Sequence, residues 1–224
     1  MVVSSNIICI IGEKKLRLSM IIIFLTWQSI AWANSEYSLY QSQGSRCGEK
    51  NDYIVKEALR NYEQWKTARE NGYKAPPKTF RTAGQQFEYL YKNGCDDGLV
   101  LYRYGNMMRH NKKCNISISI LLESIKDLKI NYPSYMSSAY YVLGMCSTTM
   151  EKYDDSIEYY RKAIQYNPDE VDSHINLAHR LYYKGSINEA LEKCNYVLHN
   201  LSELTSQYGK NRCKGIIDKI KLSK

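Results

Sequence analysis

The chain has 224 residues, of which 44% are hydrophobic and 24% charged, with a formal net charge of +8. That length accommodates one or two domains, and the balance is that of an ordinary globular chain able to bury a core. Basic and acidic residues are interleaved with no block of like charge and no base-reading motif, so nucleic-acid binding is not expected. The aromatic set is unusual, with 21 Tyr against 3 Phe and 3 Trp. Tyr buries a ring while keeping a polar tip, which suits helix packing beneath wet, adhesive surfaces.

In chain order, Lys14, Lys15 and Arg17 precede an apolar run from Leu18 to Trp27, and Ala31-Trp32-Ala33 follows. Positive region, apolar core and small-residue cleavage site stand in the order of a secretory signal peptide covering residues 1–33. The expectation is export, periplasmic or secreted, with a mature chain from Asn34. The run falls short of the roughly 20 apolar residues a spanning helix needs. No stable membrane span is therefore expected after cleavage, although an uncleaved anchor is the rival reading of the same residues.

Residues 34–49 read as an extended segment, and 50–97 as a degenerate helix hairpin. Ile54, Ala58, Tyr62, Trp65 and Ala68 share one face at helical spacing. Gly72 and Pro76-Pro77 break the pattern before Ala83, Phe87 and Leu90 resume it. From Gly98, a unit over 98–136 carries Tyr104-Gly105, Ser117, Leu121 and Ser124, and its second helix runs on to Ile130. The unit over 137–170 repeats these residue classes more sharply: Tyr140, Leu143-Gly144, Ser156, Tyr160, Ala163 and Pro168. A third unit, 171–203, offers His174, Leu177-Ala178, a turn glycine at Gly185, Ala190, Cys194 and Val197. Residues 204–224 close the series as a capping helix with Ile216, Ile217 and Ile220 on its apolar side.

The small and large residues in the 137–170 unit have a physical reading. Small side chains let two antiparallel helices approach, large ones fill the space beside them, and Pro168 ends the second helix. The pattern resembles the tetratricopeptide repeat, in which an aromatic, Leu-Gly, a small residue, an aromatic, Ala and Pro recur in a unit of about 34 residues. The resemblance implies an all-α fold: a right-handed superhelical array of helix hairpins with a C-terminal capping helix.

Motifs for catalysis are missing. His110, His174, His179 and His199 do not form a metal-ligand pair, and no C-x-x-C, G-x-S-x-G or phosphate-binding glycine loop occurs. No enzyme, cofactor or metal is expected. The resemblance implies a protein or peptide partner instead, held by the first helices of successive units. Carried over residue by residue, the contact positions are Tyr102, Arg103, Asn106 and Arg109, then Tyr141, Met145 and Thr148, then Asn176, His179 and Tyr182. Asn106 stands where family members that clamp a C-terminal carboxylate carry Asn. Tyr102, Asp172 and Asn176 replace the basic residues of that clamp, which argues against this ligand. An exported adaptor is the leading reading, and a structural or assembly subunit of an envelope or secretion complex is the alternative.

Export removes Cys9 and leaves Cys47, Cys95, Cys114, Cys146, Cys194 and Cys213, an even number that fits up to three bridges in an oxidising compartment. Cys194 and Cys213 lie equally far from the turn near Ser202-Glu203, so antiparallel helices bring them together. Cys114 with Cys146 is the next pairing, on the expectation that both sit near the same end of neighbouring first helices. Cys47 with Cys95 follows by elimination.

Overall fold

The structure, a computed structural model, describes residue 31 and residues 34–44, 46–72 and 77–222. Apart from residue 31, the expected signal segment lies outside the described residues. Every regular element among those residues is helical. The chain divides into two compact units, Met1–Val100 and Leu101–Lys224.

In the first unit, residues 34–42 are helical where the sequence reading expects an extended segment. The reason is Tyr40, which is fully buried and stacks on Tyr37 one turn earlier, with ring centroids 6.0 Å apart. Its hydroxyl donates to Asp52 Oδ1 at 3.0 Å and accepts the Cys47 backbone N–H at 3.1 Å. A short polar run gains little from helix propensity alone, so this docking supplies the order. Helices α1 (Asp52–Glu70) and α2 (Pro77–Lys92) form the hairpin that follows. Val55, Ala58, Leu59 and Tyr62 from α1 meet Ala83, Phe87 and Leu90 from α2, all buried. Tyr62 meets the Phe87 ring edge-on at 6.3 Å, and Trp65 tilts over Phe80 at 4.7 Å. Burying a ring such as Phe87 contributes about 1.5–3 kcal/mol. Pro77 opens α2, where its missing N–H costs nothing. Cys47 and Cys95 close the unit with their Cα atoms 4.3 Å apart and their sulfurs bonded.

Helix α3 (Gly98–His110) begins where the Asp97 carboxylate accepts the Val100 N–H at 3.0 Å, and its residues from 101 onward belong to the second unit. There follow α4 (Cys114–Asn131), α5 (Met136–Thr149), α6 (Tyr153–Tyr166), α7 (Val171–Lys184), α8 (Ile187–His199) and α9 (Gln207–Leu222). Small residues sit where helices touch. A Cβ added at Gly105 would lie 2.7 Å from Leu121 Cγ, and one at Gly144 would lie 2.6 Å from the Tyr160 ring. Ser117 Oγ donates to the Gly105 carbonyl at 2.7 Å, and Ser137 Oγ donates to the Ala163 carbonyl at 2.9 Å. Close approach therefore comes with buried hydrogen bonds already satisfied.

The next hairpin solves the same problem with different volumes. Ala178 of α7 and Cys194 of α8 occupy the places corresponding to Gly144 and Tyr160, so a larger residue on one helix meets a smaller one on the other. Helix α9 adds Cys213, Ile216 and Ile220 to the same buried cluster. The interior thus ends on an element whose other face is solvated.

Candidate partner-binding site

Of the residues carried over from the family pattern, Tyr102, Arg103 and Asn106 are buried, which removes them as solvent-facing contacts. Arg103 explains why. Its guanidinium stacks over Tyr102 at 5.2 Å and Tyr135 at 5.5 Å, filling space as a flat cation among aromatic rings. Burial lowers its pKa to about 10, and the neighbouring Tyr135 opposes that shift. Arg109 is half-buried and donates from Nε to Asn106 Oδ1 at 3.2 Å.

Tyr141, Met145 and Thr148 lie along α5 and are half-buried. Tyr141 and Met145 pack against the buried cluster, and Thr148 Oγ1 lies 3.3 Å from the Tyr160 hydroxyl. Burial, followed by the charge of Asp172, raises the Tyr141 phenol above its usual range. These residues are as much core as contact surface, so truncating Tyr141 costs stability along with any contact.

On α7, the half-buried Asn176 accepts from Arg212 of α9 at 2.9 Å, and Tyr182 packs against the buried cluster. His179 stands differently. Burial first, then the charges of Arg180, Arg212 and Lys219, lower its pKa to about 4. It is therefore a neutral imidazole at pH 7, and its Nδ1 takes a hydrogen bond from Arg180.

His179 forms one wall of an open cleft of about 590 Å³ whose other walls are Tyr153, Asp154, Arg180, Tyr183 and Lys184. Arg180 lies over the Tyr153 ring at 5.1 Å and the Tyr183 ring at 5.8 Å. Those two rings are 48% and 63% exposed, which is high for aromatic side chains and marks an adhesive patch. Lys184 pairs with Asp154 at 2.5 Å across the same cleft. Sequence reasoning located His179 here and missed the other five. Tyr183 and Lys184 lie three and four residues after Arg180, a helical-face signal available in the sequence. Tyr153 lies on another helix, and nothing in the sequence pairs it with Arg180.

The cysteines fall into spatial pairs. Besides Cys47 and Cys95, Cys114 neighbours Cys146, and Cys194 and Cys213 share one buried cluster; all four are buried and not disulfide-bonded. Cys114 begins α4, the second helix of its hairpin, rather than sitting on a first helix as the sequence reading had it. The hydrogen bond to Cys213 holds the Cys194 thiol well above the ordinary range, while the same contact favours thiolate at Cys213. Burial, and then Cys114, push Cys146 up to about 12. Among the described residues no three His, Cys, Asp or Glu side chains form a metal-binding group, and no helix is long and apolar enough to cross a membrane.

Residues 137–170 match the tetratricopeptide repeat family. No curated protein matches the chain in sequence. Among solved structures, MamA from Desulfovibrio magneticus RS-1 aligns with a TM-score of 0.51 at 18% identity, covering 80% of this chain and 98% of its own. The pilF protein of Pseudomonas aeruginosa aligns at 0.55 and 15% identity, covering 88% and 92%. Cut9, from the APC/C hetero-tetramer Cut9-Hcn1, aligns at 0.59 and 14% identity, covering 84% of this chain and 35% of that one. At these identities the likeness is one of fold.

Proposed function

This chain belongs to the tetratricopeptide-repeat proteins, and from that premise we propose that it is an exported adaptor which holds a protein partner on α5 and α7. The fold is a protein-interaction scaffold; the compartment and the binding face are our reading. What carries that reading is the patch on α7, where exposed Tyr183, half-buried His179 and Arg180 and the exposed Tyr153 ring form a mixed aromatic and cationic cleft. Tyr and Arg are enriched at protein contacts because they bury area and still hydrogen-bond. Export is supported by the order of positive, apolar and small residues before Asn34, and by cysteines that pair off in space.

Export also gives the thiol pairs an oxidant. Each pair would pass two electrons and two protons to a protein disulfide of the exporting compartment by thiol–disulfide exchange, forming its own S–S bond and leaving that carrier as a dithiol. N-terminal sequencing of the mature protein, together with peptide mapping of unreduced material, tests compartment and pairing in one sample. The expected result is a chain starting at Asn34 with Cys114–Cys146 and Cys194–Cys213 bonded. A chain retained in the cytosol with free thiols at all four positions contradicts it.

A further inference from the structure

We propose that the cleft between the start of α6 and the end of α7 is a carboxylate-recognition site, taking an acidic side chain from an internal segment of the partner. The proposal rests on the adaptor reading and adds the chemistry of the ligand.

Arg180 carries the recognition chemistry of the cleft. A guanidinium offers five N–H donors in a rigid plane. Here one is engaged by His179 Nδ1, and the rings of Tyr153 and Tyr183 lie within stacking distance. Ring contacts of this kind leave the remaining N–H groups able to donate to a ligand. Arg180 makes no ion pair among the described residues, although it is only half-buried and carries full charge. An arginine held against two aromatic rings, with no acid partner among the described residues, is placed to take a planar carboxylate through two parallel hydrogen bonds.

The surrounding charge points the same way. The acid in the cleft, Asp154, is paired with Lys184, so it does not neutralise Arg180. His179 is uncharged at pH 7, and the further charges acting on it, Arg212 and Lys219, are both positive. The cleft therefore presents net positive charge to a ligand, and an acidic segment gains both the local pair and the longer-range attraction. The volume of about 590 Å³ and the exposed faces of Tyr153 and Tyr183 give room for the residues on either side of the acid. This set of residues differs from the carboxylate-clamp positions considered from the sequence, two of which are buried in α3.

The test uses the folded protein and two pools of fluorescent ten-residue peptides with amidated C-termini. One pool carries Asp and Glu at its central positions, and the other carries Asn and Gln there. A third arm uses the amide pool with free C-terminal carboxylates. The expected result is binding of the acidic pool about fivefold or more tighter than the amide pool. Arg180→Met should abolish the preference, and Arg180→Lys should reduce it, because Lys keeps the charge and loses the fork. Both variants are checked by thermal melt. Equal binding of acidic and amide pools, or a preference retained in a folded Arg180→Met protein, overturns the proposal. Tighter binding of the free-carboxylate arm than of the acidic pool also overturns it, in favour of a chain terminus. If the preference fails while the native partner still crosslinks to α7, the adaptor reading stands and this inference alone falls.

Discussion

Gly144 and Tyr160 show how single residues set the distance between helices. The ring occupies the space a Cβ at Gly144 would need, 2.6 Å away, so the pair is a fitted contact rather than a flexible one. Gly144→Ala is therefore expected to destabilise by about 1–3 kcal/mol, the usual cost of forcing an extra carbon into a packed core. Combining it with Tyr160→Leu should recover part of that loss, and denaturant titration of both single variants and the double variant measures the coupling. This contact was legible in the sequence because both residues recur at fixed spacing. The Arg180 stack was not, since it depends on a ring from another helix. His179 belongs to the same scale and makes a pH prediction. Its folded pKa is about 4 against an ordinary 6.5, so between those values the unfolded chain binds a proton that the folded one refuses. Stability is unaffected above that window and falls as pH drops through it. His174, also lowered by burial, acts in the same direction. The melting temperature of wild type should fall more than that of His179→Gln between pH 7 and pH 4.5; parallel falls would contradict the assignment.

At the scale of elements, the turns within successive hairpins share a backbone solution. Lys112, Glu151 and Gly185 all take positive φ, at 60°, 60° and 84°, each just after the first helix of its hairpin. Only Gly185 announced itself in the sequence, because Lys and Glu carry no mark of a left-handed conformation. The helix over 34–42 was hidden for a related reason: its order comes from Tyr40 docking against Asp52 and Cys47, not from its own composition. The meeting of α8 and α9 was legible, since Cys194 and Cys213 flank a short turn symmetrically, and the structure places both in one buried cluster. Oxidising that pair closes a loop of a size worth about 3 kcal/mol in the chain-entropy model. Reduction of exported protein should lower its melting temperature, and Cys194→Ala/Cys213→Ala should remove the part of the shift owed to this pair. A reductant shift of the same size in the double variant would show that the pair is not bridged.

For the whole molecule, the fold was legible because each hairpin repeats its neighbour's solution, so one sharp unit, 137–170, calibrates the weaker ones. The contact surface was less so, because family positions specify where a side chain starts, not whether it ends in solvent. Tyr102 and Arg103 start at contact positions and end buried, whereas Tyr183 and Arg180 carry the exposed patch. The central claim is that a protein partner is held on the α7 side of the second unit. The most direct measurement places a photo-crosslinking residue at Tyr183 in one protein and at Leu122 of α4, also exposed, in another, and irradiates both in the native compartment. One discrete crosslinked partner is expected from position 183, lost when Arg180→Met is added, and none from position 122. Capture of the same partner from position 122 alone would contradict it and move the binding surface to the second helices.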